Sequence, residues 1–136
     1  MTRILLADDH PMIQAAVEAM LRGSEYKLIA KAGSGSEALQ SIADQDPEIV
    51  VLDIQMPEGT GLDVLRKMRS DGDDRPVVLL TASIDESGFA EALKLKVDGV
   101  LLKMSDPALL LGHEIYGQKG ADNLHVRPGM EIQFLP

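Results

Sequence analysis

Three carboxylates, a hydroxyl and an ammonium each stand at the end of a short aliphatic run. Asp8 and Asp9 follow Ile4 to Ala7, Asp53 follows Ile49 to Leu52, Thr81 follows Val77 to Leu80, and Lys103 follows Val100 to Leu102. Taken singly, these are a solvated turn, a loop acid, a strand-end hydroxyl and a surface charge. Taken together they require another account, because carboxylates gathered in one place repel one another unless a cation binds between them. Hard oxygen donors suit Mg²⁺, which takes one or two carboxylates and leaves its other positions to water and phosphate oxygens. The set therefore predicts a phosphoryl-handling site. The cation and Lys103 would neutralise phosphoryl oxygens, Thr81 would donate a hydrogen bond to one of them, and a carboxylate in line would act as nucleophile. Asp53 is the candidate nucleophile, since its strand is expected at the centre of a sheet.

What must position these groups is legible in the runs themselves. They are continuous, not alternating, as expected of strands covered on both faces in a parallel sheet. A further run, Leu28 to Ala30, makes five strands. Helix signals lie between them, so the pattern is α/β. Pro11 suits a first helical position, and Ile13, Ala16, Val17, Met20 and Leu21 recur at helical spacing until Gly23. Ser34 to Glu37 reads as a capping box ahead of Ala38, Leu39, Ile42 and Ala43. Thr60 to Asp63 reads as another helix start, leading through Leu65 and Met68 to a stop near Gly72. Asp85 is the expected cap of a fourth helix and Pro107 the opening of a fifth. In open parallel sheets the ligand crevice lies at the carboxyl ends of the strands, which is where all five chemical groups fall.

Composition narrows the partners. The 136 residues carry 13 Lys and Arg against 22 Asp and Glu, a net charge of −9, so nucleic acid and anionic membrane surfaces are disfavoured. Hydrophobic residues make up 45% but aromatics only 3%, which predicts an aliphatic core. There is no Cys, which excludes disulfides and thiolate sites and fits a reducing, cytoplasmic setting. No apolar run is long enough to span a bilayer. Residues 1–116 are expected to form the domain. Residues 117–136, interrupted by glycines and polar residues, read as a tail of uncertain structure, despite a strand-like alternation of Met130, Ile132 and Phe134.

These residues resemble the receiver domain of two-component response regulators. The resemblance rests on Asp8-Asp9, on Asp53-Ile-Gln-Met-Pro57 with Gly61, and on Thr81-Ala82 and Lys103, and it covers about residues 2–111. The opening Asp8-Asp9-His10-Pro11-Met12, with no Pro after Lys103, is similar to the NarL/FixJ branch, whose members usually carry a LuxR-type DNA-binding domain downstream. The resemblance implies a five-stranded parallel sheet in order 2-1-3-4-5, flanked by helices on both faces, a flavodoxin-like receiver fold. It implies that Asp53 accepts a phosphoryl group from a phosphohistidine of a sensor histidine kinase. Asp9 and Asp53 would ligate Mg²⁺, Asp8 would act mostly through water, and the Gln55 carbonyl would complete the set. Thr81 and Lys103 would engage the phosphoryl group, while Gln55 and Ser83 would tune its hydrolysis. Such a receiver is a signalling module that catalyses its own phosphorylation and dephosphorylation, here with a regulatory, transcriptional output.

Three departures from that pattern stand out. Val100 replaces the usual aromatic switch residue of the fifth strand, which predicts a weak activated homodimer. Lys96 stands where a Gly commonly ends the fourth helix, a place that often needs a left-handed residue. The stretch after Lys103 must first supply a fifth helix, so no DNA-binding domain is expected within this chain. Two rival readings account for less. Gly33-Ser-Gly35-Ser-Glu-Ala38 matches a dinucleotide fingerprint, with Asp53 where a ribose-binding acid would lie. It leaves Asp8, Asp9, Thr81 and Lys103 idle. An aspartyl-phosphate phosphatase would need a second carboxylate two residues after the nucleophile, where this chain has Gln55. His10, beside Pro11, reads as a capping neighbour at a helix start and not as a catalytic base.

Overall fold

The computed structural model describes residues 2–81 and 86–102, with the side chains of Leu101 and Leu102 left aside. Strands and helices alternate along the chain: β1 (Thr2–Ala7), α1 (Pro11–Leu21), β2 (Tyr26–Ala32), α2 (Gly35–Gln45), β3 (Ile49–Asp53), α3 (Gly61–Ser70), β4 (Val77–Thr81), α4 (Glu86–Lys94) and β5 (Gly99–Leu102). The strands form one sheet in the order β2-β1-β3-β4-β5, every pair parallel. This is the expected order and fold class. The expected fifth helix, the cap at Asp85 and the tail lie outside the described residues.

Consecutive residues of the three inner strands are buried, including Ile4 to Ala7, Val50 to Asp53 and Val77 to Thr81. Side chains alternate between the faces of a strand, so unbroken burial means that both faces of the sheet are covered. The helices supply the cover: α1 buries Ile13, Val17 and Leu21, α3 buries Val64, Leu65 and Met68, and α2 packs on β1 and β2 and against α3. The core is aliphatic, with Phe89 and Tyr26 only partly buried at its margin. β2 is the exception to double coverage. It lies at the edge, Lys27 and Lys31 are exposed, and its register against β1 slips at Ile29, so that Ile4 pairs with Leu28 but Leu5 with Ala30.

Helix ends follow local chemistry closely. At α3, Thr60 Oγ1 accepts from the Asp63 amide at 3.1 Å and the Asp63 carboxylate accepts from the Thr60 amide at 3.0 Å, a complete capping box. At α2 only half of the expected box forms. Ser34 Oγ accepts from the Glu37 amide, but the Glu37 carboxylate turns to the Gly33 amide, one residue early. α4 ends as its sequence suggests, with Lys96 in the left-handed region at φ 57°. The Lys96 amide donates to the Leu93 carbonyl and the Val97 amide to that of Ala92, the paired bonds of a Schellman stop. The Arg69 guanidinium, reaching over from α3, donates to the carbonyls of Leu95 at 2.7 Å and Lys96 at 3.2 Å.

Candidate functional site

Register brings the chemical residues to one edge of the sheet. Ala7 pairs with Leu52, so Asp8 and Asp53 leave neighbouring strands at the same level. Asp53 pairs with Leu80, the residue before Thr81, and Thr81 pairs with Leu102, which directly precedes Lys103 in sequence. Asp8, Asp53 and Thr81 are buried, whereas Asp9 is partly exposed. Acidic oxygens of Asp8, Asp9 and Asp53 and a ring nitrogen of His10 all lie within 4.8 Å of one another. Such a set of oxygens fits a hard divalent cation. Lys103 and Ser83 lie outside the described residues.

The turn after β1 is built to hold its carboxylates in place. Asp8 continues the β1–β2 pairing, its amide donating to the Ala32 carbonyl at 2.8 Å. Its carboxylate accepts from the His10 amide at 2.8 Å, and its carbonyl accepts from the Gln14 side chain at 2.6 Å. His10 is extended, as a residue before proline prefers, and Pro11 starts α1. His10 occupies the cap position of α1, yet its ring makes no capping bond. Instead Nδ1 lies 3.0 Å from Asp8 Oδ1, 3.1 Å from Asp9 Oδ1 and 3.9 Å from Asp53 Oδ2. The sequence reading missed this placement. Only its adjacency to two aspartates hinted at it.

The loop after β3 is held from both ends. The Asp53 carboxylate accepts from the Gln55 amide at 3.1 Å, which places the Gln55 backbone beside the carboxylates. The Gly61 amide donates to the Ile54 carbonyl, and a Cβ at Gly61 would overlap the Asp53 carbonyl, so only glycine permits this approach. From the other side, the first amides of α2 clasp the loop: Gly35 donates to Pro57 at 3.2 Å and Ser36 to Glu58 at 3.1 Å. This contact overturns the dinucleotide reading. The helix N-terminus that would receive a pyrophosphate is spent on the protein's own carbonyls, and a Cβ on Gly35 would strike the backbone of Gly59.

A five-stranded parallel sheet carrying such an acidic cluster at its carboxyl edge defines a class, and sequence comparison agrees. The chain belongs to the response regulator receiver domain family, whose model matches residues 4–113, in the NarL/FixJ branch. It is 34% identical over 122 residues to the nitrate/nitrite response regulator protein NarP of Escherichia coli, which covers 88% of this chain and 56% of that protein. It is 33% identical over 109 residues to the nitrate/nitrite response regulator protein NarL of the same species, covering 79% and 50%. Among solved structures, a LuxR-family DNA-binding response regulator from Staphylococcus aureus superposes with a TM-score of 0.72 at 29% identity, covering 82% of this chain and 93% of that one. The chain spans about half the length of the relatives it matches.

Proposed function

We propose that this chain is a phosphoacceptor: residues 1–116 form a receiver that takes a phosphoryl group from a sensor kinase phosphohistidine onto Asp53. The observation that carries the proposal is the gathering of Asp8, Asp9 and Asp53 at the carboxyl edge of the sheet, in a chain that belongs to the response regulator receiver domain family. A carboxylate oxygen of Asp53 attacks phosphorus, the new O–P bond forms as the P–N bond breaks, and the electron pair returns to the imidazole of the kinase. Burial removes Asp53 from bulk water, and the Gln55 amide fixes one of its oxygens. Asp9, Asp53 and the Gln55 carbonyl would hold Mg²⁺, with Asp8 acting through water. When bound, the ion supplies charge neutralisation for the phosphoryl oxygens. Thr81 and Lys103 would engage the transferred group, and Gln55 and Ser83 would set how long it survives. The receiver thus catalyses its own phosphorylation and dephosphorylation. It serves a cytoplasmic two-component pathway with a transcriptional output, forms at most a weak homodimer, and itself contacts neither DNA nor membrane.

Intact-mass measurement after treatment with acetyl phosphate and Mg²⁺ tests this reading. The protein should gain one phosphoryl group that alkali removes, and Asp53→Asn should gain none. Equal labelling of the variant would move the acceptor elsewhere.

A further inference from the structure

His10 is the one nitrogen donor among the four described groups of the acidic cluster, and its position there is specific. Donor atoms bound cis on a divalent cation at about 2.1 Å lie about 3.0 Å from one another. Of the two carboxylates that would hold the cation, the ring Nδ1 stands at about that spacing from Asp9 Oδ1, at 3.1 Å, and 3.9 Å from Asp53 Oδ2, while its 3.0 Å approach to Asp8 Oδ1 is a hydrogen-bond distance. The backbone beneath the ring is fixed by the Asp8 carboxylate and by Pro11. The His10 side chain is 59% exposed.

We propose that His10 is a conditional ligand of the receiver's cation site, retained by nitrogen-accepting divalent metals such as Ni²⁺ and Cu²⁺ and displaced by Mg²⁺. The inference rests on the Mg²⁺ reading of the site and deepens it. Mg²⁺ prefers oxygen and keeps its waters, so for that ion the imidazole is a neighbour to be moved aside. For a metal that accepts imidazole, with the ring hydrogen on Nε2, the same side chain adds a bond to two carboxylates already in place. His10 then sets which metal the site selects, and a more strongly held ion changes how readily the site exchanges it.

Calorimetric titration with Mg²⁺ and with Ni²⁺ tests this on the full chain. His113→Ala and His125→Ala are made first, to remove the two other imidazoles. Adding His10→Ala should lower Ni²⁺ affinity by roughly tenfold or more while leaving Mg²⁺ affinity unchanged or slightly raised. In the Cu²⁺-loaded protein, pulsed electron paramagnetic resonance should show imidazole nitrogen coupling that vanishes in the His10 variant. Unchanged Ni²⁺ affinity with no nitrogen coupling would overturn the role of His10, as would equal losses for both metals. Failure of the underlying site is distinguishable: Asp9→Ala would then leave Mg²⁺ binding at the wild-type level, whatever His10 does.

Discussion

The fold shifts the ionisation of Asp63 and Arg66, and both lie away from the acidic edge. The Asp63 carboxyl is held below its ordinary value of 3.8, first by the Thr60 amide it accepts from, then by the Arg66 guanidinium 2.7 Å away and the Thr60 hydroxyl. Arg66 in turn is raised by Glu91, which it meets at 2.6 Å from α3 across to α4, and by Asp63. A carboxyl whose folded value is depressed contributes stability above its unfolded value and loses it as pH falls through the folded one. Asp63→Asn should therefore be less stable than the parent in urea unfolding at pH 6, with the gap closing as pH drops below 3.8. A gap that stayed constant would assign the effect to shape instead of charge. Thr60→Ala, which removes the other half of the cap, should cost about 1 kcal/mol at neutral pH.

Among elements, the docking of α2 on the loop after β3 sets a conflict that substitution can resolve. An alanine at a helical glycine ordinarily gains up to about 1 kcal/mol. At Gly35 the added Cβ would meet backbone at Gly59 and Glu58, which cannot rotate away as a side chain can. Gly35→Ala should lower stability by about 1–3 kcal/mol and also slow labelling by acetyl phosphate, because the displaced loop carries Gln55. Thermal unfolding and the labelling rate, measured together, check both parts. Lys96→Gly should act the other way. It relieves a side chain from φ 57° and should raise stability by about 0.5–1 kcal/mol, a gain of a few degrees in thermal unfolding. These two sites also show what the sequence makes legible. The left-handed stop at Lys96 is readable only through the family resemblance, which commonly has a glycine there. The cap at Thr60 is readable locally, from a Thr three residues before an Asp at a helix start. The half-formed cap at Ser34 and the ends of β2 are not, since Glu37 finds a different amide and edge pairing extends a strand beyond its apolar run. Asp8, Asp9 and Asp53 announce themselves through their places after aliphatic runs. The turn of His10 into their midst depends on β1 and β3 meeting in register, which no local pattern encodes.

On the scale of the molecule, the question is how far a change at Asp53 travels. Val100 is fully buried on β5 and pairs with Leu79. An aliphatic side chain of that length has no ring to swing, and a ligand shifts a two-state element only by its differential interaction with the two states. On adding beryllofluoride, amide shifts should gather near Asp9, Asp53 and Thr81 and fade before Val100. Large shifts through residues 95–102 would show that a valine does not limit the response. The other flank of the sheet has a different significance. Among the described residues, β2 is an edge strand, presenting a row of backbone donors and acceptors with no strand beyond it. Lys27 and Lys31 stand exposed along that row, and the slipped register at Ile29 bends it, so a second copy cannot add in straight alignment without stacking like charges. Along this flank, growth of an otherwise continuous aliphatic sheet edge to edge into fibres is opposed by two lysines and a single slipped residue.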